Sequence, residues 1–279
     1  MNLSALPIKK AILGLCLFIL AAADCAFAQE AALTGKEIGV IAQKVFHNEC
    51  GGNAEDIVCW NEGEYFLSLG IGHFIWYPEG KDKRFDESFP RMIDFIVKRG
   101  AQPPQWVKGS SCPWSTRKEF MRDFHGPKAE SLRKFLVKTK KLQALYLADR
   151  INKALPKMLK ASGKESRANV RRQFYRMENS PGGMYALIDY VNFKGEGILL
   201  SERYKGEGWG VLQVLENMRG EARGVPAVRE FAAVARYLLA DRIKNDPLGY
   251  TKKRWLPVWE RRLDTYVKEA IDSRGGMIL

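Results

Sequence analysis

The sequence predicts a mainly helical protein with one small β-hairpin near its N-terminus. Beyond residue 80, apolar residues recur at helical spacing through most of the chain. Before that point, the runs 57–60 and 65–69 are rich in β-branched and aromatic residues and flank the turn Asn61-Glu62-Gly63-Glu64, which predicts two paired strands. No internal repeat, heptad pattern or low-complexity tract points to another architecture, so we expect a mainly α (α+β) fold.

The first 28 residues have the composition of an export signal. Lys9 and Lys10 precede an apolar stretch over residues 11–23, and Ala26-Phe27-Ala28 supplies the small-x-small pattern that a signal peptidase reads. The apolar stretch is shorter than the ~20 residues that a membrane-spanning helix needs, so we expect cleavage after Ala28 and no stable membrane anchor. The sequence thus predicts a periplasmic or secreted protein whose residues 29–279 form a single domain.

The first helix of that domain has clear boundaries. Thr34 and Glu37 are spaced as a capping box, and apolar residues at 38, 41, 42, 45 and 46 define one helical face. Cys50-Gly51-Gly52 should stop the helix near Asn48. Glu49 is therefore predicted to lie at the C-terminal end of this helix, beside a turn.

Further helices are predicted from periodicity and from Pro and Gly breaks. Residues 167–177 lack a clear apolar face and suit either a helix or a charged surface segment. The other expected helices cover 89–98, 115–124, 127–138, 142–159, 185–193, 209–218, 226–245 and 256–273.

The charge balance favours an anionic partner. The formal net charge is +13, and such an excess steers a protein toward polyanions. An exported protein rarely meets nucleic acid, which leaves peptidoglycan or a related glycan polymer of the cell envelope as the expected partner. The sequence leaves the oligomeric state open.

Cysteine and histidine positions indicate a disulfide but no metal. Outside the cytoplasm we expect Cys50 and Cys59 to form a disulfide across the Gly-Gly turn, with Cys112 as the unpaired thiol. No Cys-x-x-Cys pair occurs, and His47, His73 and His125 are scattered along the chain. We expect no metal and no other cofactor.

Glu49 is the candidate catalytic residue. Hydrolysis of a glycosidic bond needs a carboxylic acid that donates a proton and, in most enzymes, a second carboxylate. Glu49 follows an amphipathic helix and precedes a hairpin with aromatic residues, the apolar surroundings that keep such an acid protonated. Glu62 and Glu64 lie in the hairpin turn, and either could be the base that activates a water.

These residues resemble the active-site signature of phage-type lysozymes (endolysins). In that family a Glu ends the first helix, an aromatic residue and an Asp follow on a hairpin, and a Thr leads into Ile-Gly-x-Gly-His. The matching positions here are Glu49, Trp60, Glu62, Ser68 and Leu69-Gly70-Ile71-Gly72-His73. The chain departs from the pattern in having Glu for Asp, Ser for Thr and a longer loop after Glu49.

Two later stretches also resemble the family. The stretch from Ala186 to Phe193 resembles the central helix of the larger lobe, and Trp259-Glu260-Arg261-Arg262 resembles its closing Arg-Arg helix. The resemblance implies a two-lobed lysozyme-like fold. Residues 29–77 would hold the catalytic helix and hairpin, 78–183 a helical insertion longer than the family requires, and 184–279 the C-terminal helical lobe.

The resemblance also implies roles for individual residues. Glu49 would be the general acid, Glu62 the base and Ser68 the residue that holds the water, with inversion at the anomeric carbon. The remaining candidates are substrate-binding residues. They are Glu64, the hydrogen-bonding His73, the aromatic pair Trp76 and Tyr77, which would either stack on sugars or pack in the core of the hairpin, and Asn192 on the opposite side of the cleft.

Alternative functions follow from the same residues. A lytic transglycosylase would need no second carboxylate, and a chitosanase-like enzyme would share the scaffold, although a basic protein repels the polycation chitosan. A wall-binding protein could keep the fold without the chemistry. An inhibitor or scaffold could use only the 78–183 insertion. The sequence does not distinguish the cell's own wall from a foreign one.

Overall fold

The computed structural model describes residues 33–83, 85–108, 111–200, 203–246 and 255–275. The predicted signal peptide lies outside these residues. In the described part of the chain, ten α-helices accompany a three-stranded and a two-stranded antiparallel sheet, which confirms the mainly α class. Contacts from Thr34 onward group into one compact unit.

The first helix, α1 (Gly35–Cys50), begins at the predicted capping box. Thr34 Oγ1 accepts a hydrogen bond from the Glu37 main-chain N–H at 3.2 Å, and the Glu37 carboxylate accepts one from the Thr34 N–H at 2.8 Å. Gly51 ends the helix with a left-handed φ of 58°. The helix therefore continues two residues beyond the predicted end, and Glu49 lies in its last turn.

The sheet after α1 has three strands, one more than the predicted hairpin. Strand β1 (Val58–Cys59) pairs with β2 (Leu67–Leu69), as expected, and β2 also pairs with β3 (Phe74–Trp76). The chain reverses between β2 and β3 because Gly70 and His73 adopt positive φ angles of 71° and 44°. The Gly-Ile-Gly-His sequence is therefore a tight turn between two paired strands.

The remaining helices lie close to their predicted positions. Residues 167–177 are helical, within α6, and bury Val170, Phe174 and Met177. The helices are α2 (Phe89–Val97), α3 (Arg117–Arg122), α4 (Pro127–Lys138), α5 (Lys140–Ala161), α6 (Lys164–Glu178), α7 (Gly183–Lys194), α8 (Val211–Asn217), α9 (Val225–Asn245) and α10 (Leu256–Gly275).

A second small hairpin was not predicted. Strands β4 (Arg203–Tyr204) and β5 (Glu207–Gly208) pair antiparallel around Lys205 and Gly206, whose φ angles are 52° and 85°. Two successive positive φ angles suit a two-residue hairpin turn. A two-residue strand is too short to show alternation, so the sequence pattern did not reveal it.

Helix packing brings the end of α1 to the C-terminal helices. Helix α1 packs on α5, α5 packs on α7, and α10 packs on both α7 and α9. In the described residues, no helix is both long and apolar enough to cross a bilayer.

Candidate active site

Glu49 lies where four separate segments meet. Its side chain is 11 % exposed. Its Oε1 accepts a hydrogen bond from Asn192 Nδ2 on α7 at 3.0 Å and another from Arg262 Nη2 on α10. Its Oε2 lies 3.4 Å from His73 Nδ1 in the turn between β2 and β3. The carboxyl group is thus held by one amide, one guanidinium and one imidazole.

A buried carboxylate, Asp189, orients the guanidinium. Arg262 Nε donates to Asp189 Oδ2 at 2.7 Å, and Arg262 Nη2 donates to Asp189 Oδ1 at 2.9 Å. Tyr266 Oη and Asn48 Nδ2 also donate to Asp189, at 2.6 and 3.1 Å. The Asp189 side chain is fully buried, so these donors replace the water that a carboxylate would otherwise need.

The positive charge of Arg262 is stabilised by neighbouring carboxylates. Burial alone lowers its pKa, but the carboxylates of Asp189 and Glu49 outweigh that effect and hold the pKa of Arg262 well above its ordinary value. Because Arg262 bridges both carboxylates, it joins α10 to the end of α1 and to the middle of α7. The guanidinium therefore keeps Glu49 in a defined position.

Asn48, the neighbour of Glu49, takes part in the same network. Besides Asp189, its Nδ2 donates to Tyr185 Oη at 2.8 Å, and Tyr185 Oη lies 2.8 Å from Thr265 Oγ1. Burial and the nearby Asp189 raise the pKa of Tyr185, so its hydroxyl stays protonated. The last turn of α1 is thus attached to α7 and α10 at two adjacent residues.

His73 contacts Glu49 from an unusual backbone conformation. Its φ of 44° falls in the left-handed region that non-glycine residues rarely adopt. Its Nδ1 faces Glu49, whereas its Nε2 is buried without a hydrogen-bond partner among the described residues. The tight turn after β2 therefore directs an imidazole at the candidate acid. A substrate-binding role for His73 stays a prediction.

The two glutamates of the hairpin turn lie apart from Glu49. Glu62 is exposed, and no described side chain forms a hydrogen bond or an ion pair with its carboxylate. Glu64 is partly buried and its Oε2 accepts a hydrogen bond from Asn61 Nδ2 at 3.0 Å, while its main-chain oxygen accepts one from Trp60 Nε1 at 2.8 Å. Glu64 thus stabilises the turn, and neither carboxylate contacts Glu49 or its partners.

The expected stacking residues belong to the core. Trp76 is 1 % exposed and packs against Phe89 and Trp106, with ring centroids 4.7 and 6.3 Å away. Tyr77 is 3 % exposed, and its hydroxyl accepts a hydrogen bond from the Phe85 main chain. Of the two roles expected for Trp76 and Tyr77, the structure thus shows core packing, and neither ring is exposed for stacking on a sugar.

Ser68, the residue expected to hold a water, lies in the middle strand of the sheet. It is opposite Cys59 on one side and Ile75 on the other, and it is 4 % exposed. Its hydroxyl makes no contact with Glu49, so the role of Ser68 stays a prediction.

The expected disulfide is not formed in this structure. Cys50, Cys59 and Cys112 are all free thiols. The Sγ atoms of Cys50 and Cys59 face main-chain carbonyl oxygens, those of Gly70 at 4.0 Å and Ser68 at 3.5 Å. Burial, together with the charge of the neighbouring thiol, raises the pKa of Cys50 to about 12, so the thiol is protonated.

Sequence reasoning missed two residues of this site. Arg262 was noted only as part of an Arg-Arg helix, and Asp189 only as part of the helix that contains Asn192. A buried acidic residue in the apolar run 184–191 was the available signal, since such a residue needs a cationic partner. No family model matches this chain, and neither the curated proteins nor the solved structures yielded a match.

Proposed function

We propose that this protein is an exported, lysozyme-like glycoside hydrolase that cleaves the glycan strands of peptidoglycan, with Glu49 as the general acid. One observation carries the proposal. Glu49, Asn192, Arg262 and His73 come from the segments that resemble phage-type lysozymes, and their side chains converge on one carboxyl group. This convergence supports a two-lobed arrangement in which α1 and the sheet face the helices α7 and α10.

The hydrogen bonds around Glu49 suit one proton-donating oxygen. Oε1 already accepts from Asn192 and Arg262, so a catalytic proton belongs on Oε2. Arg262 donates two hydrogen bonds to the buried Asp189, and its Nη2 also donates to Glu49. Asp189 therefore balances most of the positive charge of Arg262. In the proposed reaction Glu49 Oε2 protonates the glycosidic oxygen as the bond to the anomeric carbon breaks.

Whether a second carboxylate takes part distinguishes hydrolysis from transglycosylation. In an inverting hydrolase, Glu62 would activate a water on the opposite face of the sugar, and Ser68 would hold that water. A lytic transglycosylase is the second candidate, because it needs no second carboxylate and the turn holding Glu62 is exposed. The two reactions leave different sugar ends.

The test is the release of soluble fragments from purified peptidoglycan by residues 29–279. We expect wild-type protein to release fragments and Glu49→Gln to lose at least about a hundredfold of the rate, since general acid catalysis contributes about 10²–10⁴-fold. Glu55→Gln is the matched control, because Glu55 is an exposed glutamate just beyond the same helix. It should retain the wild-type rate.

Product masses and the Glu62→Gln variant separate the two reactions. Reducing ends with inverted configuration, together with loss of activity in Glu62→Gln, would support the hydrolase. Anhydro ends and an active Glu62→Gln would support the transglycosylase. If wild-type protein released no fragments, the enzyme proposal would be overturned in favour of a wall-binding protein.

A further inference from the structure

A group of cations and aromatic rings lies directly beside the candidate active site. Lys194, the last residue of α7, places its Nζ 3.5 Å from the ring centroid of Trp259 and 3.8 Å from that of Phe193. The guanidinium of Arg242 on α9 lies 4.1 Å from the centroid of Trp209 and 5.4 Å from that of Trp259. We call Lys194, Arg242 and these three rings the cation–aromatic cluster.

The cluster adjoins Glu49 through shared residues. Lys194 is two residues from Asn192, which donates to Glu49. The guanidinium of Arg262 lies 4.4 Å from the ring centroid of Phe193, the same ring that Lys194 contacts. A glycan positioned at Glu49 would therefore bring its substituents close to Lys194.

The positive charge of the cluster is not balanced by protein carboxylates. The charge of Arg262 is balanced by the buried Asp189, but among the described residues no carboxylate pairs with Lys194 or Arg242. Glu196, close in sequence, pairs with Lys157 at 3.5 Å. Arg242 Nε is buried and lacks a hydrogen-bond acceptor in the described part of the chain. Leaving such donors unpaired is costly, so the arrangement suits a negatively charged ligand.

The lowered pKa of Lys194 is consistent with the lack of a carboxylate paired with it. Burial and the neighbouring guanidinium groups of Arg242 and Arg262 lower its pKa to about 6, and only Glu49 acts in the opposite direction. A bound anion would raise this pKa, because its charge would offset the repulsion from the two guanidinium groups. It would supply the counter-charge that the protein lacks here.

We propose that the cation–aromatic cluster is a subsite for a carboxylate of the glycan substrate. This inference rests on the proposed function and narrows it to carboxylate-bearing glycans. In peptidoglycan the carboxylate comes either from the peptide stem or, where the stem has been removed, from the lactyl group of muramic acid. Chitosan offers only amines at this position, and protonated amines would be repelled by Arg242.

The test is a binding measurement in the Glu49→Gln background, where turnover does not consume the ligand. The probes are stem-bearing peptidoglycan oligosaccharides, the same oligosaccharides after amidase removal of the stems, and neutral N-acetylglucosamine oligomers of equal length. The added substitutions are Lys194→Met and Arg242→Gln. Lys244→Met is the control, because Lys244 is an exposed cation on the same helix as Arg242.

We expect Lys194→Met and Arg242→Gln each to lower the ratio of anionic to neutral ligand affinity by about tenfold or more, as expected for a lost charged hydrogen bond. Lys244→Met should leave the ratio unchanged. A loss confined to stem-bearing ligand would assign the stem carboxylate. A loss that persists after amidase treatment would assign the lactyl carboxylate.

Three results would overturn the subsite. The first is an unchanged ratio of anionic to neutral ligand affinity in both Lys194→Met and Arg242→Gln. The second is an equal loss of affinity for neutral and anionic ligands, which would indicate that the two residues serve only in packing. The third is the absence of measurable binding of any of the probes. Failure of the enzyme proposal is a separate result, because it appears as absence of turnover by the wild-type protein and not as a change in this ratio.

Discussion

Arg262 connects two carboxylates that lie on different helices, so its removal should affect stability as well as activity. Asp189 is fully buried and receives two of its hydrogen bonds from Arg262. Breaking a buried ion pair by deleting one partner leaves an uncompensated charge and typically costs about 3–5 kcal/mol. We expect Arg262→Met to lower the free energy of unfolding by that amount, measured by urea denaturation.

The neighbouring arginine provides the control for this prediction. Arg261 is exposed on the same helix, so Arg261→Met should change the free energy of unfolding by less than about 0.5 kcal/mol. Equal effects of the two substitutions would show that the buried pair does not stabilise the fold. Peptidoglycan cleavage by Arg262→Met, assayed under conditions where it is folded, should also fall because Glu49 loses a positioning partner.

His73 allows a test of backbone strain at the same site. At a φ of 44° a side chain with a Cβ is disfavoured, whereas glycine adopts this conformation freely. His73→Gly and His73→Ala both remove the imidazole, so their difference isolates the backbone. We expect the glycine variant to be about 1 kcal/mol more stable in thermal or urea unfolding. A more stable alanine variant would mean that the turn relaxes to a negative φ.

Among the elements, two glycines should respond to alanine in opposite ways. Gly39 lies in the interior of α1, and an added Cβ would make only an ordinary contact with the flexible Lys141 side chain. Gly210 precedes α8, and an added Cβ would fall well inside van der Waals distance of the Gly197 main chain. We expect Gly39→Ala to stabilise the protein by about 0.5–1 kcal/mol and Gly210→Ala to destabilise it by about 1–3 kcal/mol.

Unfolding curves for the two glycine variants check this prediction. The Gly197–Gly210 contact joins the turn after α7 to the start of α8, so it also sets how closely these elements approach. If Gly210→Ala were neutral, the main chains at this contact would have to separate without cost. A destabilised Gly39→Ala would imply an unfavourable contact between α1 and α5.

Individual helices were predictable because their stop signals are local. The boundaries of α4 match the predicted helix, and α1 begins at a capping box that is visible in the sequence. Strand β3 was missed because its formation depends on the positive φ of His73, which a sequence pattern does not indicate. The core position of Trp76 could not be told apart from a stacking role for the same reason, because Trp76 lies on this third strand.

At the level of the whole molecule, the site depends on contacts between distant parts of the chain. Glu49 and Arg262 are 213 positions apart, and Glu49 and Asn192 are 143 apart. Glu49 could be singled out from local sequence because the residues that follow it resemble the phage-type lysozyme signature. Its partners could not, because they depend on how α1, α7 and α10 pack, and a polar residue on a helix gives no sign of which distant carboxylate it faces.

Lys194 makes the stability of the whole molecule depend on pH. Its pKa is lowered to about 6 in the folded protein, whereas an unfolded lysine has a pKa of about 10.4. Between these values the unfolded state binds more protons, so this group makes stability rise with pH across that window. Below about pH 6 both states are protonated, and the unfavourable burial of the charge is fully present.

The corresponding measurement is the free energy of unfolding from pH 6 to 9 for wild type and Lys194→Met. We expect the methionine variant to be the more stable of the two near pH 6 and the difference to shrink as the pH rises. An anionic ligand should reverse part of this effect, because its charge stabilises protonated Lys194. Its binding near pH 7 should therefore take up protons and strengthen as the pH falls toward 6, as measured by calorimetry in buffers of different ionisation enthalpy. Binding without proton uptake would mean that Lys194 is already charged in the free protein or does not meet the anion.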